Sequence, residues 1–185
     1  MLGSSDNKVN QSNSRANVII GRDANLIAPA QSIIDKLNEK LSLEIDEGKK
    51  IAHIIESLRY YHEKYSEDGI EGLEQKLNKA GMGAKYKRAV KDKELFVMLL
   101  EKYNAFESAQ EIFATLLAKM DYCYNNKVYI VVDSFDSIEF NNLFDEQVMV
   151  PIMQECVSGV FTINHRHAMG MFYWLAEQCF VRWHR

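Results

Sequence analysis

Gly170-Met-Phe-Tyr-Trp-Leu-Ala-Glu-Gln-Cys-Phe-Val-Arg-Trp-His-Arg185 places five large aromatic rings, Phe172, Tyr173, Trp174, Phe180 and Trp183, in the last sixteen residues of the chain. Fully burying one such side chain contributes about 1.5–3 kcal/mol relative to leaving it in water, so the segment must lie in a core or against a partner. On a helical wheel it is apolar on nearly every side, with Glu177, Gln178 and Arg182 as a polar strip. This predicts a closing helix over residues 167–183. On it Phe172, Ala176, Cys179 and Trp183 share a core face, while Trp174 lies beside the strip, so Trp174 and Arg182 are the partner-contact candidates.

Upstream, the same three-to-four spacing recurs. Phe113, Leu117, Met120 and Tyr124 form one stripe, and Ser108 with Glu111 has capping-box spacing at its start. Phe96, Leu99, Leu100 and Tyr103 mark a helix over 84–103. The clearest amphipathic pattern, Ile51, Ile54, Ile55, Leu58, His62 and Tyr65, predicts a helix over 47–65. A shorter helix over 71–80 should stop at Gly81-Met-Gly83, where glycine can supply a C-cap. Pro29 suits a first turn leading to Ile33, Ile34, Leu37 and Leu41. Val128-Tyr-Ile-Val-Val132 fits a strand or the buried end of the preceding helix, and helix is the preferred reading. Asp136 and Glu139 match a cap for a helix with Phe140, Leu143, Phe144 and Val148, which Pro151 must kink or break. The fold class is therefore mainly α, a bundle of six to seven helices over residues 29–185.

Two segments precede it. Residues 1–15 are rich in Ser and Asn and read as a polar leader, disordered or ordered only in an assembly. Residues 16–28 contain two short β-prone runs, Val18-Ile19-Ile20 and Leu26-Ile27, around Gly21-Arg22-Asp23-Ala24-Asn25. A hairpin this small is marginal alone, so pairing with copies from other subunits is expected. Val18, Ile19, Ile20, Arg22, Asp23 and Leu26 are the candidate oligomerisation residues.

Composition narrows the function classes. Hydrophobic residues make up 47% and charged residues 26% of 185, ordinary for a globular domain. The net charge of -4 gives no global attraction to nucleic acid or anionic lipid. Cys123, Cys156 and Cys179 are odd in number and widely spaced, which suits reduced thiols in a cytoplasmic protein. Neither a secretory signal nor a membrane-length apolar run is present.

Candidate chemistry meets a simpler reading at each point. His165-Arg166-His167 could be a metal or general-base pair, but it sits where a loop should enter the last helix, which favours capping or interface contacts. Arg59 with His62 is a weak match to the Arg/His arrangement of all-helical nucleases. Asp133, Asp136, Glu139, Asp145 and Glu146 are the densest acidic group, yet lack the spacing of a calcium loop. Cys179 on the most apolar helix is expected to be inert. No catalytic residue, metal site or cofactor is assigned. The run from Lys85 to Lys93 holds five cations with Tyr86 among them. Lys87, Arg88 and Lys91 are read as exposed charges for a partner, an acidic protein ahead of nucleic acid.

Gly72-Leu-Glu-Gln-Lys-Leu77, Glu107-Ser-Ala-Gln-Glu-Ile-Phe-Ala-Thr-Leu-Leu-Ala-Lys119, Pro151-Ile-Met-Gln-Glu155 and the stretch from Gly170 to His184 together resemble the C-terminal domains of bacterial ABC-three-component systems, multi-gene loci acting in conflict with phages. The similarity covers about residue 28 to the end. In such proteins the module usually follows a separate effector domain and a short Gly-Asp-Asn-type strand motif, which Gly21 to Asn25 is similar to. The 185 residues depart from that pattern, since one helical domain accounts for most of them and no effector domain is expected within them. The resemblance thus implies a non-catalytic interaction, assembly or sensing subunit of an anti-phage system, docking an effector or ATPase from the same locus. Two alternatives stand beside it: a nuclease or toxin-like effector using His165, His167 and the Asp133 to Asp145 segment, and a regulatory nucleic-acid binder.

Overall fold

The computed structural model describes residues 31–64, 69–133, 137–156 and 159–184. The expected hairpin over 16–28, its residues Val18 to Leu26, the polar leader, Pro29 and the Asp136 cap lie outside the described residues. Among the described residues eight α-helices follow in order: α1 (Ile33–Asp46), α2 (Glu56–Tyr60), α3 (Gly72–Lys79), α4 (Tyr86–Tyr103), α5 (Glu107–Cys123), α6 (Ser137–Phe144), α7 (Val150–Glu155) and α8 (His165–Glu177). A π-turn, Asp145–Met149, joins α6 to α7 into one helical run, leaving seven rods. The chain is mainly α, as its periodicity predicts, and no strand occurs among the described residues.

Local chemistry sets the helix ends. Ser32 caps α1 reciprocally: its hydroxyl accepts from Asp35 N at 3.1 Å, and the Asp35 carboxylate accepts from Ser32 N at 3.2 Å. Gly81 adopts φ 71° after α3. There Met82 N donates to Leu77 O at 2.7 Å and Gly81 N to Asn78 O at 3.0 Å, the glycine cap anticipated from sequence. The Val128 to Val132 question resolves as helix, since a π-turn, Tyr124–Val128, and a 3-10 turn, Tyr129–Val131, extend α5. Pro151 does not end its rod. It lies in the first turn of α7, directly after the π-turn, so its missing N–H falls where the helical bonding changes pitch.

Three expectations need correction. The stretch over 47–65 is not one helix: among its described residues, 47–64, only Glu56–Tyr60 is α-helical. Residues 51–55 have helical spacing, but their backbone is bound elsewhere: Ile51 N donates to Ala105 O at 2.8 Å and Ile55 N to Gln110 Oε1 at 2.8 Å. Ser108 does not cap α5 with Glu111. It is the second residue of the helix, and its hydroxyl and N–H both donate to the buried carboxylate of Glu44, at 2.7 and 3.1 Å. A carboxylate from α1 thus sits at the positive end of α5. Finally, α8 stops at Glu177. Cys179 turns to φ 71°, Phe180 N donates to Leu175 O at 2.9 Å and Cys179 N to Ala176 O at 3.2 Å, a Schellman ending built without glycine.

The core is continuous and aromatic. Its centre holds Phe96, Phe113, Leu117, Tyr124, Phe172 and Ala176, all buried. Helix α8 packs on α4 more extensively than any other two elements pack, and Gly170 makes this possible: its position lies against the Asp92 backbone and Phe96. Because α8 ends early, residues 178–184 form a strap across the bundle. Trp183 packs edge-on to Phe172 with centroids 5.5 Å apart, and Phe180 rests on Tyr61 at 4.9 Å. Trp183 therefore reaches Phe172 from the strap and not as a neighbour along one helix face. Tyr124 Oη donates to Arg182 O at 2.8 Å and Asn125 Nδ2 to Phe180 O at 3.1 Å, tying the strap to the end of α5.

Candidate functional site

Four buried polar side chains act as joints between elements. Gln110 is fully buried. Its Nε2 donates to His53 O at 3.0 Å and to Asn104 O at 2.6 Å, while its Oε1 accepts from Ile55 N. Lys76, 1% exposed, donates to Ala176 O at 2.9 Å and Val181 O at 3.0 Å, a cation at the negative end of α8. Glu44 serves α5 as described. Asp92, 3% exposed, lies 2.6 Å from Arg166 Nη2 across the α4–α8 crossing and 3.9 Å from Arg88 Nε. An ion left alone at such depth would cost several kcal/mol, so Asp92 requires this pairing.

The residues singled out in the sequence fall in several places. Lys87, Arg88 and Lys91 are exposed on α4, as expected. They lie on one broad face, Lys91 four after Lys87 and three after Arg88. Arg88, one turn from Asp92, stands at its edge toward α8, and Lys87 and Lys91 continue on the outer side with Met98. Lys93 pairs with Glu177 at 3.3 Å. Trp174 is half-buried, edge-on to Phe96 and to His62, with centroids 6.0 and 5.1 Å away. Arg182 lies over the Tyr129 ring and donates from Nε to Tyr129 Oη at 2.8 Å. Trp174 and Arg182 thus occupy separate settings, one in a helix and one in the strap.

Of the candidate catalytic groups, His167 and Arg59 are engaged in folding bonds. Asn164 caps α8 by accepting from Arg166 N and His167 N, and His167 Nδ1 accepts in return from Asn164 N at 3.3 Å. His165-Arg166-His167 is therefore a helix entry. Burial lowers the pKa of His167 and of His62 below the usual imidazole range. Arg59 donates to Ile54 O at 3.1 Å, near the start of its own short helix. Burial pushes the Cys156 thiol up to about 11, with Glu155 adding to the effect. Among the described residues no three His, Cys, Asp or Glu side chains converge as a metal site. No described helix is long and apolar enough to cross a membrane.

One opening of about 60 Å³ lies between the 3-10 turn Gly83–Lys85, α6 and α8. Phe140, Phe144, Met169, Phe172 and Trp183 supply its apolar walls, with Lys85, Asn141 and Tyr173 among its polar groups. It is small beside the roughly 300–1,000 Å³ of cofactor and metabolite pockets. Burial raises the Tyr173 pKa, the nearby Asp92 charge adds to this and Arg88 opposes it. Tyr173 lines the opening two turns along α8 from Arg166, on the same side of the helix, so the opening and the Arg88–Asp92–Arg166 group adjoin there. Arg166, which joins the α4 cations to α8, was not singled out in the sequence. Its signal was faint: an arginine between two histidines, with its acidic partner seventy-four positions upstream.

The fold and its surface define a mainly α domain in which buried polar side chains join the elements and exposed cations gather along α4 and the start of α8. A family model described as C-terminal domain 9 of the ABC-three component (ABC-3C) systems matches residues 72–183, more than half of the chain, and the chain belongs to that family. The family places it in a bacterial defence system of several components. No curated protein and no solved structure matches the chain.

Proposed function

We propose that this domain is a non-catalytic docking subunit of its ABC-three-component system, binding an effector or ATPase component encoded in the same locus. The observation that carries the reading is how the polar side chains within the matched region are used. Lys76, Asp92, Gln110, Tyr124 and His167 each make bonds that hold one helix, loop or strap to another or close a helix end. Lys87, Arg88 and Lys91 remain at the surface for a partner. Trp174 and Arg182 are further candidate contacts. Copies of the chain are proposed to assemble through the N-terminal motif from Val18 to Leu26.

Co-expression with the products of the adjacent genes, followed by affinity purification and light scattering, tests the docking reading. A stable heterocomplex that weakens in Lys87→Glu/Lys91→Glu is expected; no association with any of those products would refute it. Light scattering on the full chain and on one lacking residues 1–28 tests assembly. A monomer in both cases contradicts it. Cleavage of RNA or DNA with magnesium, abolished by His167→Ala in a normally folded variant, would instead establish the nuclease alternative.

A further inference from the structure

We propose that the opening between the Gly83–Lys85 turn, α6 and α8 receives an apolar side chain from an acidic segment of a protein partner, whose carboxylates meet Lys85, Arg88 and Arg166. This rests on the docking reading and names where and by what chemistry docking occurs.

Charge complementarity selects the occupant. Among the lining residues Lys85 is the sole charged side chain, standing over walls of Phe140, Phe144, Phe172 and Trp183. Arg88, whose side chain is 76% exposed, and Arg166, 49% exposed, extend the positive rim along the α4–α8 crossing. Asp92 offsets one charge from 4% side-chain exposure, so the cations face outward and the anion does not. Tyr173 joins the two parts, lining the opening while lying two turns beyond Arg166 on the same side of α8.

An apolar floor beside a cationic rim discriminates between acidic ligands. A nucleic acid would use chiefly the rim, because the wall rings Phe144, Phe172 and Tyr173 are buried and Phe140 and Trp183 are only partly exposed, leaving no open face on which a base can stack. A carboxylate-rich peptide with one Val, or with the tip of a Leu or Met side chain, uses both, since an aromatic ring needs a cavity of about 150 Å³ and this opening offers about 60 Å³. Rim charges chiefly affect association rate and salt dependence, and the filled apolar position affects dissociation.

The test is selection of a random displayed peptide library on the immobilised full chain, with recovered peptides titrated by fluorescence anisotropy. Acidic sequences with a single apolar anchor should be enriched, and their affinity should fall as salt rises. Lys85→Glu/Arg88→Glu should weaken them by about tenfold or more. Asn141→Trp covers the mouth of the opening from an exposed position and should abolish binding without lowering the melting temperature. Lys49→Glu, on the loop after α1, should change nothing. Enrichment of neutral or basic peptides, no enrichment, competition by single-stranded RNA, or indifference to Asn141→Trp overturns the proposal. If Asn141→Trp still co-purifies with a neighbouring gene product, docking stands and this site for it falls. If neither variant nor wild type co-purifies with one, the docking reading itself falls.

Discussion

Gly170→Ala is the sharpest structural prediction. A Cβ built at Gly170 would overlap the Asp92 carbonyl oxygen and lie 2.9 Å from both the Asp92 carbonyl carbon and the Phe96 Cβ. None of these atoms belongs to a movable side-chain end, so the clash is relieved only by parting α4 from α8. Overpacking costs about 1–3 kcal/mol, and the rigidity of these neighbours argues for the upper end. Alanine recovers up to about 1 kcal/mol of helix propensity, leaving a net loss of about 2 kcal/mol. For a domain of this length that lowers the melting temperature by about 4–8 °C. Thermal denaturation followed by circular dichroism reads it directly. The Phe96→Leu background should not relieve the clash, because leucine keeps the Cβ. A Gly170→Ala protein as stable as wild type would refute the reasoning about the crossing.

Three further outcomes follow from the joints and caps. Gln110→Leu leaves Ile55 N, His53 O and Asn104 O without their partner and should cost about 2–4 kcal/mol in urea denaturation; a loss below about 0.5 kcal/mol, less than one ordinary hydrogen bond, would mean the 51–55 loop is held by other means. Cys179→Gly should stabilise by about 1 kcal/mol, since glycine adopts the left-handed cap without steric penalty; a lower denaturation midpoint contradicts this. Burial lowers the pKa of His62 and His167 in the folded state, so the unfolded chain takes up protons first as pH falls below about 6.5. Stability should therefore be full above that pH and decline as pH drops through the lower folded values. His62→Gln should reduce the decline. Asp121, whose pKa burial raises, acts in the opposite sense and only in the carboxylate range. A urea midpoint that rises between pH 7.5 and 5.5 would contradict the assignment.

Legibility in the sequence tracked whether bonding was local. The helices at 86–103 and 107–123 were legible because their stripes are long and their backbone bonds internal. The glycine ending of α3 was legible because Gly81 does what glycine does at such positions. The loop at 51–55 was not, because its spacing of isoleucines fits a helix and the residue that prevents one, Gln110, lies fifty-five positions beyond Ile55. The end of α8 was hidden because a cysteine occupies the left-handed position. Its consequence was larger than one turn: it converted the predicted last turns of a helix into a strap, and so placed Trp183 over Phe172 and Arg182 over Tyr129. Of the candidate surface, Lys87, Arg88 and Lys91 were legible as a charge run. Arg166 and the opening at Lys85 were not, since both arise where α8 meets α4 and α6 in space.

The most direct test of the central claim, that this domain docks a component of its own system, is light scattering of the purified full chain mixed with each product of the adjacent genes. The account predicts a heterocomplex with one of them, stable at low salt and weakened as salt rises. Elution of the chain unassociated with every product at low salt would contradict it.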